Sequence, residues 1–186
     1  KKHRGLVKNA FHSEEARKHI EKAEHNLRAI TYFNKGGFSD WSMSAGFYCI
    51  YHCFLAIGSK FGYESRNQEC TIALMRALKE EEKIALNEKF IGAMESYDEK
   101  ERHESNIIEK REFYTYGTQV SAENIGEIQE SITLCEECLD EAKRILKKYS
   151  VEYILVDNEM RERLVWDEPE QGLLYLLHNS ETFKKT

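Results

Sequence analysis

With 186 residues, the chain is long enough to bury a real core as one domain, alone or with an appendage. Its 41% hydrophobic and 32% charged residues exclude both a disordered polymer and a membrane-embedded bundle. A net charge of −6 argues against generic binding to duplex nucleic acid, whose phosphates reward a basic face.

From the amino end, Lys1-Lys2-His3-Arg4 is basic, but no apolar run of signal-peptide length follows, so no secretory leader is expected here. The first helix is expected from about Ser13 to Phe33. Ser13 is placed as an N-cap, Glu14 and Glu15 suit the positive end of the helix dipole, and Ala16, Ile20, Ala23, Leu27, Ile30 and Phe33 recur at helical spacing. Gly36-Gly37 offers the left-handed backbone that ends it. A second helix follows from Ser39 or Asp40 to about Phe61. It is apolar around most of its circumference, which suits the centre of a bundle, and Gly62 closes it. Its most apolar part, Ala45 to Ile57, carries Gly46 and His52 and falls short of the roughly 18 apolar residues of a membrane span.

A shorter helix is expected over Glu69–Leu78, and another from about Glu80 to Tyr97 with Ile84, Leu86, Phe90, Ile91 and Met94 facing inward. Residues 95 to 112 are densely charged and are expected to be solvated, ending in a short helix that leads into Arg111. The last long helix is expected after a Ser121 cap, with a stripe of Ile125, Ile128, Ile132, Cys135, Leu139 and Ala142. Pro169 is the single proline, so nothing in residues 1 to 168 breaks these helices. Beyond Val151 the β-favouring run Val151, Tyr153, Ile154, Leu155, Val156 precedes an Asp157-Asn158 turn. A hairpin confined to 151–168 is expected there, with a continuing helix as the alternative. The fold class is therefore all-α: an antiparallel up-and-down bundle of four to five main helices over residues 1–150, with a C-terminal extension over 151–186.

Five cysteines is an odd number in a chain that does not need disulfides, which favours a reducing cytoplasm. Cys49 and Cys53 lie four apart and Cys135 and Cys138 three apart, so two packed helices bring four thiols together. Structural zinc sites draw their ligands from loops and knuckles, whereas these cysteines sit in apolar helices. They are read as core residues, and neither a metal nor a cofactor is expected. No two of the seven histidines form an HExxH pair, and no phosphate-cradling glycine loop is present. His52, in the central helix, has the most buried context. The segment Arg111-Glu112-Phe113-Tyr114-Thr115-Tyr116-Gly117 sets an anion-binding guanidinium among three aromatic rings. Arg111, Tyr114, Tyr116 and His52 are the candidate binding residues. The competing reading is that the rings cover the bundle end and Arg111 pairs with a nearby carboxylate.

The ordered set of features resembles the HEPN family of prokaryotic helical bundles over roughly residues 14 to 147. The set comprises Ala23-x-x-Asn26-Leu27 before a Gly-Gly turn, the aromatic-rich helix Ala45-Gly46-Phe47-Tyr48-Cys49-Ile50-Tyr51-His52, and Arg111-x-x-x-x-Tyr116-Gly117 before a long last helix. The resemblance implies a homodimeric bundle, often partnered with a small nucleotidyltransferase protein in toxin–antitoxin or defence systems. Active members of that family are metal-independent ribonucleases with an Arg followed, after four to six residues, by His. Carried onto this chain, the Arg is Arg111, and the His position falls on Tyr116, Gly117 or Thr118. None of these is histidine. The expected function is thus a non-catalytic module binding a nucleotide or RNA, or a nucleotidyltransferase partner. The alternatives are an RNA-cleaving toxin in which His103 or His52 replaces the missing residue, and a purely structural partner protein.

Overall fold

A computed structural model describes residues 5–8, 13–95, 107–121, 125–148, 150–156 and 159–165. The elements run β1 (Leu6–Lys8), α1 (Ser13–Lys35), α2 (Ser39–Lys60), β2 (Tyr63–Ser65), α3 (Gln68–Glu80), α4 (Glu88–Ala93), α5 (Ile107–Tyr116), α6 (Ile125–Lys148), β3 (Ser150–Val156) and β4 (Glu159–Val165). The architecture is all-α with small antiparallel ribbons. Two compact units divide within α6, at Lys143 and Arg144.

The first two helices form an antiparallel hairpin. Gly36 and Gly37 turn the chain, Gly37 with φ 81°, while the Phe38 amide donates back to the Phe33 carbonyl at 2.9 Å. Helix direction follows from the partners. Ser42 Oγ donates to the Ile30 carbonyl at 2.9 Å near the turn, and His19 meets His52 far from it. Among the described side chains of α1, Ala16, Ala23 and Ile30, seven apart, are the buried ones. The small side chains at two of these three positions let α2 approach closely.

The bundle closes around α2. Met43, Phe47, Ile50, Phe54 and Ile57 are fully buried. The chain itself covers most of this helix, as its apolar circumference leads one to expect, and leaves Trp41 and Tyr48 as its exposed large apolar side chains. Helix α5 runs antiparallel to α2, with Ser44 opposite Thr115 and Phe47 opposite Arg111. Helix α6 then runs parallel to α2, as alternation requires. Its Cys135 thiol donates to the Gly46 carbonyl at 3.4 Å, and Cys138 reaches Cys53 one turn further on. An ion pair of Lys143 with Glu24 at 2.7 Å ties α6 to α1.

Three expectations need correction. The helix expected over Glu80–Tyr97 is only Glu88–Ala93. Glu82 adopts φ 55°, the amides of Lys83 and Ile84 fold back onto the Leu78 carbonyl, and Asn87 caps α4 by accepting from the Lys89 amide. Ile84 and Leu86 are buried as expected, but from a loop; their spacing of two was never helical. Strands also occur outside 151–168, because Leu6–Lys8 pairs with Tyr63–Ser65. Arg111 lies within α5 rather than beyond a short helix. The expected 151–168 hairpin is present, Ser150 pairing with Val165 through to Val156 with Glu159. Helix α6 is described from Ile125, and the Ser121 cap adjoins residues 122–124, outside the described residues.

Candidate functional site

Helix α5 buries Ile107, Ile108 and Tyr114. Arg111 is four residues after Ile107 and three before Tyr114, so it shares their inward stripe. Its side chain is accordingly only 16% exposed. The guanidinium carbon lies 4.3 Å from the centroid of the Phe47 ring. A desolvated cation over an aromatic face gains about 2 kcal/mol, and an exposed one about 0.5–1. Phe47 in turn stacks on Tyr51 at 5.9 Å with an interplanar angle of 14°, and meets Tyr48 edge-on at 5.1 Å. The spacing of four between Phe47 and Tyr51 puts both rings on one face of α2, so that Tyr51 backs the ring on which the guanidinium lies.

The polar partners of Arg111 are few. Nη2 donates to Glu112 Oε1 at 3.2 Å, and the buried Nε has no hydrogen-bond partner among the described residues. Arginine cannot shed its proton, so the charge stays in place. One turn along, the hydroxyls of Ser44 and Thr115 pair at 2.7 Å and hold α5 against α2.

The other candidates go elsewhere. Tyr114 is buried and its hydroxyl donates to Glu127 Oε2 of α6 at 3.5 Å. Tyr116 is 79% exposed, on the opposite side of α5 from Arg111. His52 contacts the Tyr51 ring at 6.3 Å and is two ring contacts removed from Arg111. Phe113, three residues before Tyr116, is exposed beside it. The structure therefore joins Arg111 to Phe47, itself stacked on Tyr51, neither of which sequence reasoning selected, rather than to His52. Two clefts adjoin α5 without being lined by Arg111 itself: one is bordered by Asn67, Arg76, Glu95 and the Arg111 partner Glu112, the other by Lys89, Lys110 and Glu127. In the first, Arg76 already holds Glu95 through two bonds of 2.6 and 2.5 Å, clasping the end of α4 to α3.

His52 is paired with His19 of α1, Nδ1 to Nδ1 at 3.0 Å, both rings partly buried. One ring donates its Nδ1 proton and the other accepts. Burial lowers the pKa of His19 against an opposing pull from Glu15. Burial, with the His19 and Lys22 neighbours, pushes His52 down to about 4. Both rings are therefore neutral at pH 7.

Cys49, Cys53, Cys135 and Cys138 meet in the core between α2 and α6, all fully buried and free. Contacts with Cys138 and Cys49, and then burial, raise Cys53 well above an ordinary thiol. Cys135 is raised by Cys49 and by burial. Cys49 goes the other way, lowered to about 5 by the Cys135 and Cys53 thiols that hydrogen-bond to it against its burial, whereas the raised, neutral thiols of Cys53 and Cys135 pack as small hydrophobes. Among the described residues no group of three or more His, Cys, Asp or Glu is arranged to hold a metal, and no helix is long and apolar enough to cross a membrane.

No curated protein shows significant similarity to the chain. The HEPN domain, by contrast, matches residues 16–153, from the first turn of α1 into β3, and takes in α2, Arg111 and α6. The chain belongs to the HEPN family.

Proposed function

We propose that this chain is a non-catalytic HEPN module that binds a nucleotide or single-stranded RNA through Arg111. The observation that carries this reading is the state of the Arg111 side chain. It is a permanent cation braced on Phe47 whose ion pair, among the described residues, is a single 3.2 Å bond to an exposed carboxylate. A phosphate oxygen competes with Glu112 for such a guanidinium and gains a bidentate partner. Metal-free RNA cleavage also needs a group that moves protons near neutral pH. Tyrosine, with a pKa of about 10, is a poor substitute for it at position 116. His52, suggested as a replacement, is committed to His19 and titrates near pH 4. His103 lies outside the described residues.

The test is fluorescence polarisation with labelled single-stranded RNA, alongside a cleavage assay in chelator. Wild-type protein is expected to bind and not cut. Arg111→Ala should weaken binding about tenfold or more, the loss of a charge-assisted bond of about 1.5–3 kcal/mol. Arg111→Met keeps apolar cover over Phe47 and should lose the same affinity with little change in Tm. Tyr116→Phe should have a smaller effect. Cleavage in chelator that Arg111→Ala abolishes would overturn the non-catalytic reading. A sharp Tm loss in both Arg111 variants without change in binding would make the residue structural.

A protein partner is the second reading, favoured by the exposed rings of Trp41 and Tyr48, seven apart on one face of α2. A second copy is the occupant we propose for that face, because a two-fold contact sets one patch against itself and closes. A nucleotidyltransferase partner of the kind found with other family members would be a further occupant of the module. Light scattering should give twice the 21.9 kDa of one chain, and Trp41→Glu should return it to 21.9 kDa. A concentration-independent monomer in the micromolar range would refute the dimer.

A further inference from the structure

We infer that His19 and His52 form a two-histidine site for a divalent transition metal, Ni(II) or Cu(II) in preference to Zn(II), bridging α1 and α2. The site is separate from Arg111 and independent of the function proposed above. The argument is geometric. The two Nδ1 atoms lie 3.0 Å apart, on helices fixed in register by the α1–α2 hairpin. With metal–nitrogen bonds of about 2.0–2.1 Å, that separation gives an N–metal–N angle of about 94°, the ion sitting about 1.4 Å off the line between the nitrogens. A right angle at the metal is the cis angle of square-planar or octahedral coordination, which Ni(II) and Cu(II) favour. Tetrahedral zinc wants about 109°, which would part the two nitrogens to about 3.3 Å.

In the metal-free pair one Nδ1 carries the proton that the other accepts. Binding requires that this proton move to Nε2 of the same ring through solvent, and that both rings tilt out of their near head-on pairing, with centroids 5.2 Å apart, so that the two Nδ1 lone pairs converge on the metal. No net proton is released. Both rings are only partly buried, so water and the ion reach them, and water fills the remaining coordination positions. The flanking charges nearly cancel, with Glu15 one turn before His19 on α1 and Lys22 near His52. Glu15 is engaged with Lys18 at 3.7 Å and does not complete a three-ligand group. The ion would act as a clip between the two helices. Because it binds the folded chain, it would raise stability with concentration.

Calorimetric titration of the untagged full chain with NiCl2, paired with thermal unfolding, tests the site. Wild-type protein should take up one tight equivalent of Ni(II), with Tm rising by several degrees, and should bind ZnCl2 more weakly. His19→Gln and His52→Gln should each weaken Ni(II) binding at least tenfold and lose the Tm rise. His25→Gln, which removes an exposed imidazole on α1, should leave both unchanged. If either pair variant misfolds, paramagnetic broadening of wild-type amide signals by Cu(II), which carries an unpaired electron in either geometry, decides the matter. It should centre on residues 19 and 52. Equal Ni(II) affinity in the pair variants, broadening centred elsewhere, or no uptake by the wild type would overturn the site.

Discussion

Gly46→Ala isolates the contact that lets α6 lie against α2. A Cβ at position 46 would fall inside 3.0 Å of Ser131 Oγ, closer than real Cβ atoms approach, and 3.3 Å from Ile107 Cδ1. Two effects oppose each other. Alanine in place of glycine within a helix stabilises by about 0.5–1 kcal/mol. Overpacking a tight contact costs about 1–3 kcal/mol, through a forced rotamer of the buried Ser131 or a shift of α6. The collision should win, leaving Gly46→Ala less stable by about 1 kcal/mol, or a Tm lower by about 2–4 °C for a chain of this size. Ser131→Ala removes the colliding atom. In that background Gly46→Ala should be neutral or stabilising, tempered by the contact with Ile107, so the two sites should couple by about 1–2 kcal/mol. Urea unfolding followed by far-UV circular dichroism on the four proteins of the cycle measures this directly. A stabilising Gly46→Ala in the presence of Ser131, or a cost that persists with Ala at 131, would refute the reasoning.

Gly117→Ala meets a backbone atom as well as a side chain: its Cβ would fall inside 3.0 Å of Gln119 Oε1, which can swing away, and of the Phe113 carbonyl oxygen, which has no rotamer to retreat into. A loss of about 1–3 kcal/mol is expected, read as a Tm lower by several degrees; an unchanged Tm would count against it. The histidine pair makes stability depend on pH. Unfolded His52 takes up a proton near pH 6.5, whereas the folded residue resists until about 4, so its contribution is complete above about 6.5 and is lost as pH falls towards 4. In chelator, the Tm of wild type should therefore fall more steeply through that window than that of His52→Gln, and parallel pH profiles would contradict the assignment.

Local pattern was enough to find most of the helices. The Ala16–Ala23–Ile30 stripe, the Gly37 and Gly62 stops, the mostly apolar α2 and the α6 stripe each depend on neighbours within a few residues. The hairpin after Val151 was legible for the same reason: the β-favouring run Val151 to Val156 precedes Asp157-Asn158, residue types that favour turns. The same local reading erred at Ile84 and Leu86, where burial from a loop imitates a helix face. It also missed β1 and β2, because three residues carry too short a pattern and the partner strand lies far along the chain.

Composition and periodicity by themselves determined the fold class, the central helix and the cysteine-lined core of this protein. The aromatic setting of the 111–117 segment singled out Arg111, while the absence of histidine at position 116 gained meaning only from the family resemblance. Tertiary structure alone decided what Arg111 touches, that Tyr114 and Tyr116 face different ways, and that His52 belongs with His19 rather than with the arginine. The physical reason is the same in each case. Which face of a helix is buried is written in residues three and four apart, whereas which residue of another helix fills that face depends on crossing geometry and packing between distant segments.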